Sequence, residues 1–343
     1  MELIFDYATP VELTGFAREA LADREINQPS LARWLPTQTI PDLQFRFNRG
    51  DQSLVEAAAY RAYDAETRIG NRRGLTRVTG ELPALGEKLR LTEYQQLRQR
   101  NLPEAITEAV FNDALALTRK IGARLELARG DAIVNGSVTI AEDGVQATVD
   151  FGRSPSHTVT AATAWTDTAN ATPLDDLLSW SDTYNNTNGG LPGTILTSRR
   201  VIGLLLRSQQ LINQAAGSAS GVSLLTLDQV NAILNSFGLP ALETYDAQFI
   251  GPDGQQTRVI PDDRVIFLPA GTDMTGTSEL GATLMGQTLE SEEPDYAIAP
   301  GDQPGIVVAN YRTRDPIALW THAAAIGLPI MANPDLTFVA DVA

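Results

Sequence analysis

The sequence predicts an α+β fold in which one dominant helix is flanked by separate β regions. Three observations carry this. The stretch LPEAITEAVFNDALALTRKIGARLELARG places Ile106, Val110, Ala114, Leu117, Ile121, Leu125 and Ala128 at spacings of three and four, which is one apolar stripe on a helix. The segments LQFRFNRG and VQATVDFG alternate apolar and polar residues with the period of half-buried strands. A chain of 343 residues that is 43% hydrophobic has room for two or three cores.

Taken in order, residues 1–42 begin with a short helix over 10–21. The run INQPSLARWLPTQTIPD follows, whose prolines at 29, 36 and 41 argue for an extended arm laid over another part of the molecule, with Trp34 and Leu35 as its anchors. Residues 43–101 open on a strand and pass into IGNRRGLTRVTGELPALGEKLRLTE, a β-excursion bent at Gly70, Gly74, Gly80 and Gly86 with few bulky apolar residues to bury. The helix then runs from Glu104 to Arg129, with Pro103 in its first turn and Gly130 as its stop, a length of roughly 39 Å. Beyond it, Val134, Val138 and Ile140 alternate on one strand and Val145, Ala147, Val149 and Phe151 on the next, joined at Glu142-Asp143-Gly144. Residues 173–305 mix types: helices over 173–184, 199–215 and 227–237 (the last capped by Thr226), a strand GTILTS, a hairpin YDAQFIGPDGQQTRVI and a strand RVIFLP. The final segment, IALWTHAAAIGLPIMANPDLTFVADVA, reads as two extended runs about the turn Asn333-Pro334-Asp335.

Composition narrows the chemistry. The absence of cysteine excludes disulfides, thiolate nucleophiles and Cys-ligated metals. The N-terminus lacks the basic, then apolar, pattern of a signal peptide, and the longest apolar run, 317–331, is too short to span a bilayer, so a soluble, unexported protein is expected. The net charge of −16 lies wholly in residues 131–343, with 8 basic against 24 acidic residues, while residues 1–130 are balanced at 18 each. A broad duplex-binding basic face is therefore not expected. Within 46–100 the balance reverses to 11 basic against 7 acidic, and Arg68, Arg72, Arg73 and Arg77 stand close together. Lys88 and Lys120 are the only lysines, so positive charge is almost entirely arginine, suited to fixed bidentate contacts with carboxylates.

Catalytic motifs are scarce. His157 and His322 are the only imidazoles, and GSASG at 217–221 does not centre a serine in a nucleophile elbow. No phosphate-binding loop, dinucleotide fingerprint, zinc-protease motif or EF-hand loop occurs. The carboxylate pairs Asp175/Asp176, Asp262/Asp263 and Glu292/Glu293 read first as a helix first turn, a turn after Pro261 and a solvated loop, although a hydrolase using an Asp/Glu pair remains the rival from another class.

The stretch VDFGRSPSHTVTAATAW at 149–165, with ELPALGEKLRLTEY at 81–94, PDDRVIFLP at 261–269 and the tail DPIALWTHAAAIGLPIMANPDLTFVADV, resembles in order and spacing the lambda-type capsid E family of tailed-bacteriophage major capsid proteins, whose fold is the Hong Kong ninety-seven fold. The resemblance implies an N-terminal arm (1–42), an extended loop reaching over a neighbouring subunit (43–101), a peripheral domain with the long helix as its spine (102–172), an axial domain (173–305) and return strands of the peripheral domain (306–343). It implies a shell of hexamers and pentamers around packaged DNA, with no cofactor, no metal, no catalytic residue and no membrane, assembled in the host cytoplasm. An encapsulin-type compartment is the rival within the fold. Subunit contacts are expected from Arg68, Arg72, Arg73, Arg77, Lys88 and Trp34. About forty residues precede the excursion, too few for an independent scaffold domain, so a separate scaffolding protein is expected, together with a portal and a possible decoration protein. Lys88 is the one lysine of the loop, and non-covalent closure is expected.

Overall fold

A computed structural model describes residues 2–343 apart from 29, 50–59, 65, 68–75, 100, 101, 143, 218–220, 252 and 273–277. Its axis is the helix Pro103–Asn135, about 50 Å long at 1.5 Å per residue. The helix passes the expected stop without a break. Gly130 instead permits close packing: a Cβ there would sit 2.3 Å from the Val259 carbonyl oxygen. The helix ends at Gly136, whose φ of 68° is the left-handed conformation that glycine adopts without strain, and its N–H donates to the Ala132 carbonyl. Val134, expected on a strand, therefore belongs to the last helical turn.

Two sheets flank this axis. In the larger, the 15-residue strand Ile317–Met331 is the spine of pairing: Val307–Arg314 lies antiparallel along one edge of its first half, Ala84–Leu91 antiparallel along the other, and Gly281–Met285 antiparallel to its last five residues. Glu2–Leu3 and Thr37–Thr39 complete it. One face of this sheet packs Leu319, Ala323 and Ala325 with Leu13, Ala17 and Leu21 of the helix Pro10–Asn27 and with Val110, Leu117 and Ile121 of the long helix. The smaller sheet runs in the order Leu242–Thr244, Thr194–Thr197, Arg264–Leu268, Phe338–Asp341, Thr158–Thr160. Helices Pro173–Asn188, Arg199–Leu205, Gln209–Ala216 and Leu227–Ser236 pack on it through Leu177, Val201, Leu211 and Val230.

Strand pairing does not respect the expected boundary at 305/306. Gly281–Met285 pairs with the return strand, whereas the last strand, Phe338–Asp341, crosses into the smaller sheet beside Arg264–Leu268. The 3₁₀ turn Pro334–Leu336 makes that crossing, at the predicted Asn-Pro-Asp turn. The expected helix over 199–215 is also two helices, because the Gln209 N–H turns away to the Thr168 carbonyl at 2.9 Å. The strands Ser137–Glu142 and Val145–Asp150 pair as the alternation predicts, with Glu142 opposite Val145; Asp143 lies outside the described residues.

Candidate assembly surfaces

The stretch 149–165 ties the long helix to the smaller sheet. Gly152 turns the chain at φ 69°, and the Arg153 guanidinium then reaches back to the helix end, donating to the carbonyls of Ile133 (2.7 Å) and Val134 (2.6 Å) and to the Thr337 hydroxyl (3.2 Å). Carbonyls that the helix leaves without an internal partner are thereby satisfied. Burial lowers the Arg153 pKa to about 10, with Asp335 opposing the shift. Asp335 accepts from the N–H (2.6 Å) and hydroxyl (3.0 Å) of Ser154. His157 is fully buried, its Nδ1 donating to the Thr337 carbonyl at 3.1 Å and its Nε2 3.0 Å from the Thr187 hydroxyl. Trp165 stacks on Trp180 at 5.8 Å and donates to Asp176 at 2.9 Å. These contacts are architectural.

A second junction gave no sequence signal beyond a Glu and an Arg three residues apart on the long helix. Arg129 is buried and donates to Glu25 (2.6 Å), Glu126 (3.0 Å), Thr283 (2.8 Å) and Thr37 (2.8 Å). Glu126 also accepts from the Leu31 N–H (2.6 Å), the Ser30 hydroxyl (2.9 Å) and the Tyr245 hydroxyl (2.6 Å). Burial works against the charge on Arg129, but Glu25 and Glu126 outweigh it and its pKa is raised. Burial, then Glu126, pushes the Tyr245 phenol upward. Arm, long helix, larger sheet and smaller sheet thus meet at one satisfied network, beside a cavity of about 470 Å³ lined in part by Arg24, Arg199, Asp246 and Phe249.

The residues expected at subunit contacts are distributed unevenly. Trp34 requires correction: it is 2% exposed, its indole N–H donates to the Pro269 carbonyl at 2.9 Å, and its anchoring partner is its own subunit. Lys88 does not lie on a free loop. It sits in the strand Ala84–Leu91, opposite His322, with its ammonium 4.9 Å from the centre of the Trp320 ring. Gly86 is inside the same strand, and Gly80 is inside Thr76–Glu81, so neither bends the excursion. Arg68, Arg72 and Arg73 lie outside the described residues, as do Gly70 and Gly74. The backbone of Arg77 pairs with Asn48 in the hairpin Gln44–Arg49/Thr76–Glu81. Those two strands pair with each other alone among the described strands. Phe45 packs over Gly80, where a Cβ would meet the ring at 2.5 Å, and Phe47 stacks on Phe45 at 6.2 Å. Between these strands in sequence, Tyr60 and Tyr63 are fully exposed. Leu191, Leu224 and Phe237 are also exposed.

The carboxylate pairs carry structural partners: Asp175 accepts from Gln210, Asp176 from Trp165, and Asp262 from Arg200. Among the described residues no group of three or more His, Asp or Glu is placed to hold a metal ion, and no helix is long and apolar enough to cross a membrane.

A long helix beside two sheets, a separately paired β-hairpin and a helical layer on the smaller sheet together make the Hong Kong ninety-seven-type capsid fold. Two solved structures share it. One is a crystal structure described as a prophage capsid protein from Escherichia coli CFT073, with a TM-score of 0.58 and 14% identity over 78% of this chain and 80% of that one. The other is a phage-related protein from Bordetella bronchiseptica RB50, with a TM-score of 0.57 and 12% identity over 99% and 97%. The sequence model of the phage major capsid protein E family matches residues 36–342, and the chain belongs to that family. It is a shell-forming structural protein of the virion. No curated protein matches the chain.

Proposed function

We propose that copies of this chain close, as hexamers and pentamers, into the icosahedral head that holds packaged viral DNA, and that the hairpin from Gln44 to Glu81 reaches over a neighbouring subunit. The observation that carries the reading is the hairpin itself. Its two strands form a separate two-stranded sheet: Phe45, Phe47 and Val78 hold it to the subunit's own core, but no other strand among the described residues pairs with it, and two-stranded ribbons are marginal in water without further surface to pack on. Tyr60 and Tyr63 leave their rings in solvent, and tyrosine is enriched where one protein surface meets another. Its sequence holds an excess of arginine, and residues 131–343 hold the excess of carboxylate.

Assembly in the host cytoplasm, a separate scaffolding protein and a portal belong to the same reading. A viral head is favoured over an encapsulin-type compartment by the family match. Exposed ion pairs contribute only about 0–1 kcal/mol each, but a shell repeats them at every contact. The test is the double variant Arg72→Glu/Arg73→Glu. Circular dichroism and melting of the unassembled subunit should stay near wild type, while shells fail to form or become salt-sensitive. Normal assembly of the double variant at every salt concentration would remove this pair from the docking contact.

A further inference from the structure

The helices cover one face of the larger sheet. On the other, strand alternation brings together Lys88 and Arg90 of Ala84–Leu91, Trp320 and His322 of Ile317–Met331, and Tyr311 of Val307–Arg314. Tyr311 stacks on Trp320 at 6.2 Å with the rings 11° from parallel. Both cations sit over the same indole, Lys88 at 4.9 Å and Arg90 at 5.6 Å, and both are exposed. Neither forms an ion pair among the described residues. Glu87, immediately before Lys88 in sequence, points the other way, to Lys120 of the long helix. Two like charges are therefore held side by side on an aromatic platform with no counter-charge of their own.

The opposite edge of this face has the opposite character. The segment between Gly281–Met285 and Val307–Arg314 carries the short helix Leu289–Glu292 and the turn Pro294–Tyr296. Within it stand Glu290, Glu292, Glu293 and Asp295, none in an ion pair among the described residues, and Leu289, which is 77% exposed. Glu292 accepts one hydrogen bond, from Gln287 at 3.1 Å. Since Ala84–Leu91 and Val307–Arg314 pair with opposite edges of the same strand, cations and carboxylates lie on opposite sides of it, with His322 between, influenced by both Lys88 and Glu290.

A face that is cationic and aromatic along one edge and acidic with an exposed leucine along the other is complementary to a second copy of itself. We infer that this face is a subunit–subunit contact, in which the Lys88–Arg90–Trp320 edge of one copy receives the acidic turn at 289–295 of another. The carboxylates neutralise the paired cations and Leu289 covers the open side of the indole. The contact is separate from the hairpin's, and it rests on the shell-forming reading.

Three full-length variants test it under conditions in which the wild type forms shells: Lys88→Glu/Arg90→Glu, Glu292→Lys/Glu293→Lys, and all four changes together. Shell yield is read by sedimentation and electron microscopy, and folding of the unassembled subunit by circular dichroism. Each one-sided reversal should lower the yield by about tenfold or more, the equivalent of roughly 1.4 kcal/mol, and the four-fold swap should recover most of it. Should a reversal variant misfold, Lys88→Gln/Arg90→Gln serves instead and should lower the yield and weaken its dependence on salt. Full assembly of either one-sided variant, or a folded four-fold swap that does not recover, would overturn the contact. So would neutral-cation shells that form normally but retain less DNA, which would make the cations a lining for the packaged polyanion. A wild type that never forms shells would overturn the shell reading itself, a result distinct from all of these.

Discussion

Replacing Arg129 by methionine keeps most of the side-chain stem and removes four hydrogen bonds, to Glu25, Glu126, Thr37 and Thr283. Two carboxylates are then left without their cation where their side chains are only 13% and 6% exposed. Breaking a buried pair in this way costs about 3–5 kcal/mol, because the surviving charges keep their desolvation penalty and lose its compensation. At about 2 °C per kcal/mol for a chain of this size, melting of the unassembled subunit should fall by roughly 6–10 °C. Neutralising the carboxylates along with the cation, as Arg129→Met/Glu25→Gln/Glu126→Gln, should recover part of that fall, since the orphaned charges are gone. Thermal melting followed by circular dichroism measures both. A single variant that melts within about 2 °C of wild type, or a triple variant that melts no higher than the single, would refute the reasoning that paired charge holds this junction.

Other expectations follow from the same geometry. Gly136→Ala forces a left-handed φ of 68° on a residue with a Cβ, which would stand 3.1 Å from the Arg153 Cβ; a loss of about 1–2 kcal/mol is expected in denaturant titration. Burial lowers the His322 pKa below its ordinary 6.5, with Lys88 adding to the effect and Glu290 opposing it. The folded state therefore holds fewer protons than the unfolded chain in that window, so stability present above pH 6.5 is lost as pH falls through the lowered value, and His322→Gln should flatten that part of the melting profile. With Lys88 held in the sheet over Trp320, denaturing gels of mature particles should show a single monomer band, and ladders would contradict non-covalent closure.

Local signals carried much of the fold. The apolar stripe of the long helix, the alternation of the hairpin Ser137–Glu142/Val145–Asp150 and the Thr226 cap, where Thr226 and Gln229 form a reciprocal capping box, are each specified by residues within a few positions of one another. What escaped depends on distant partners. Gly130 looks like a helix stop until Val259 is seen against it, and the break at Gln209 depends on the Thr168 carbonyl. The Arg129 network joins residues as far apart in sequence as Glu25 and Thr283, so the charges on the long helix could not be distinguished from surface ones. Trp34 was legible as an anchor, but whether its partner was its own chain or a neighbour was settled only by the Pro269 carbonyl. The return segment reads as two strands in sequence, while the division of those strands between two sheets follows from long-range pairing. Of the assembly surfaces, the arginine excess of the excursion was visible in composition; the sheet face of Lys88, Arg90 and Trp320 was not, because it takes strand register to gather them.

Beyond the contacts that Phe45, Phe47 and Val78 make with their own core, the hairpin from Gln44 to Glu81 is proposed to find its remaining packing surface on another copy of the chain. A subunit-resolution electron cryomicroscopy reconstruction of particles assembled from this protein tests that directly. The expected density shows a closed shell in which the hairpin crosses onto an adjacent subunit, with Tyr60 and Tyr63 covered there. A shell in which the hairpin folds back on its own subunit, or a preparation holding only monomers under every assembly condition, would contradict it.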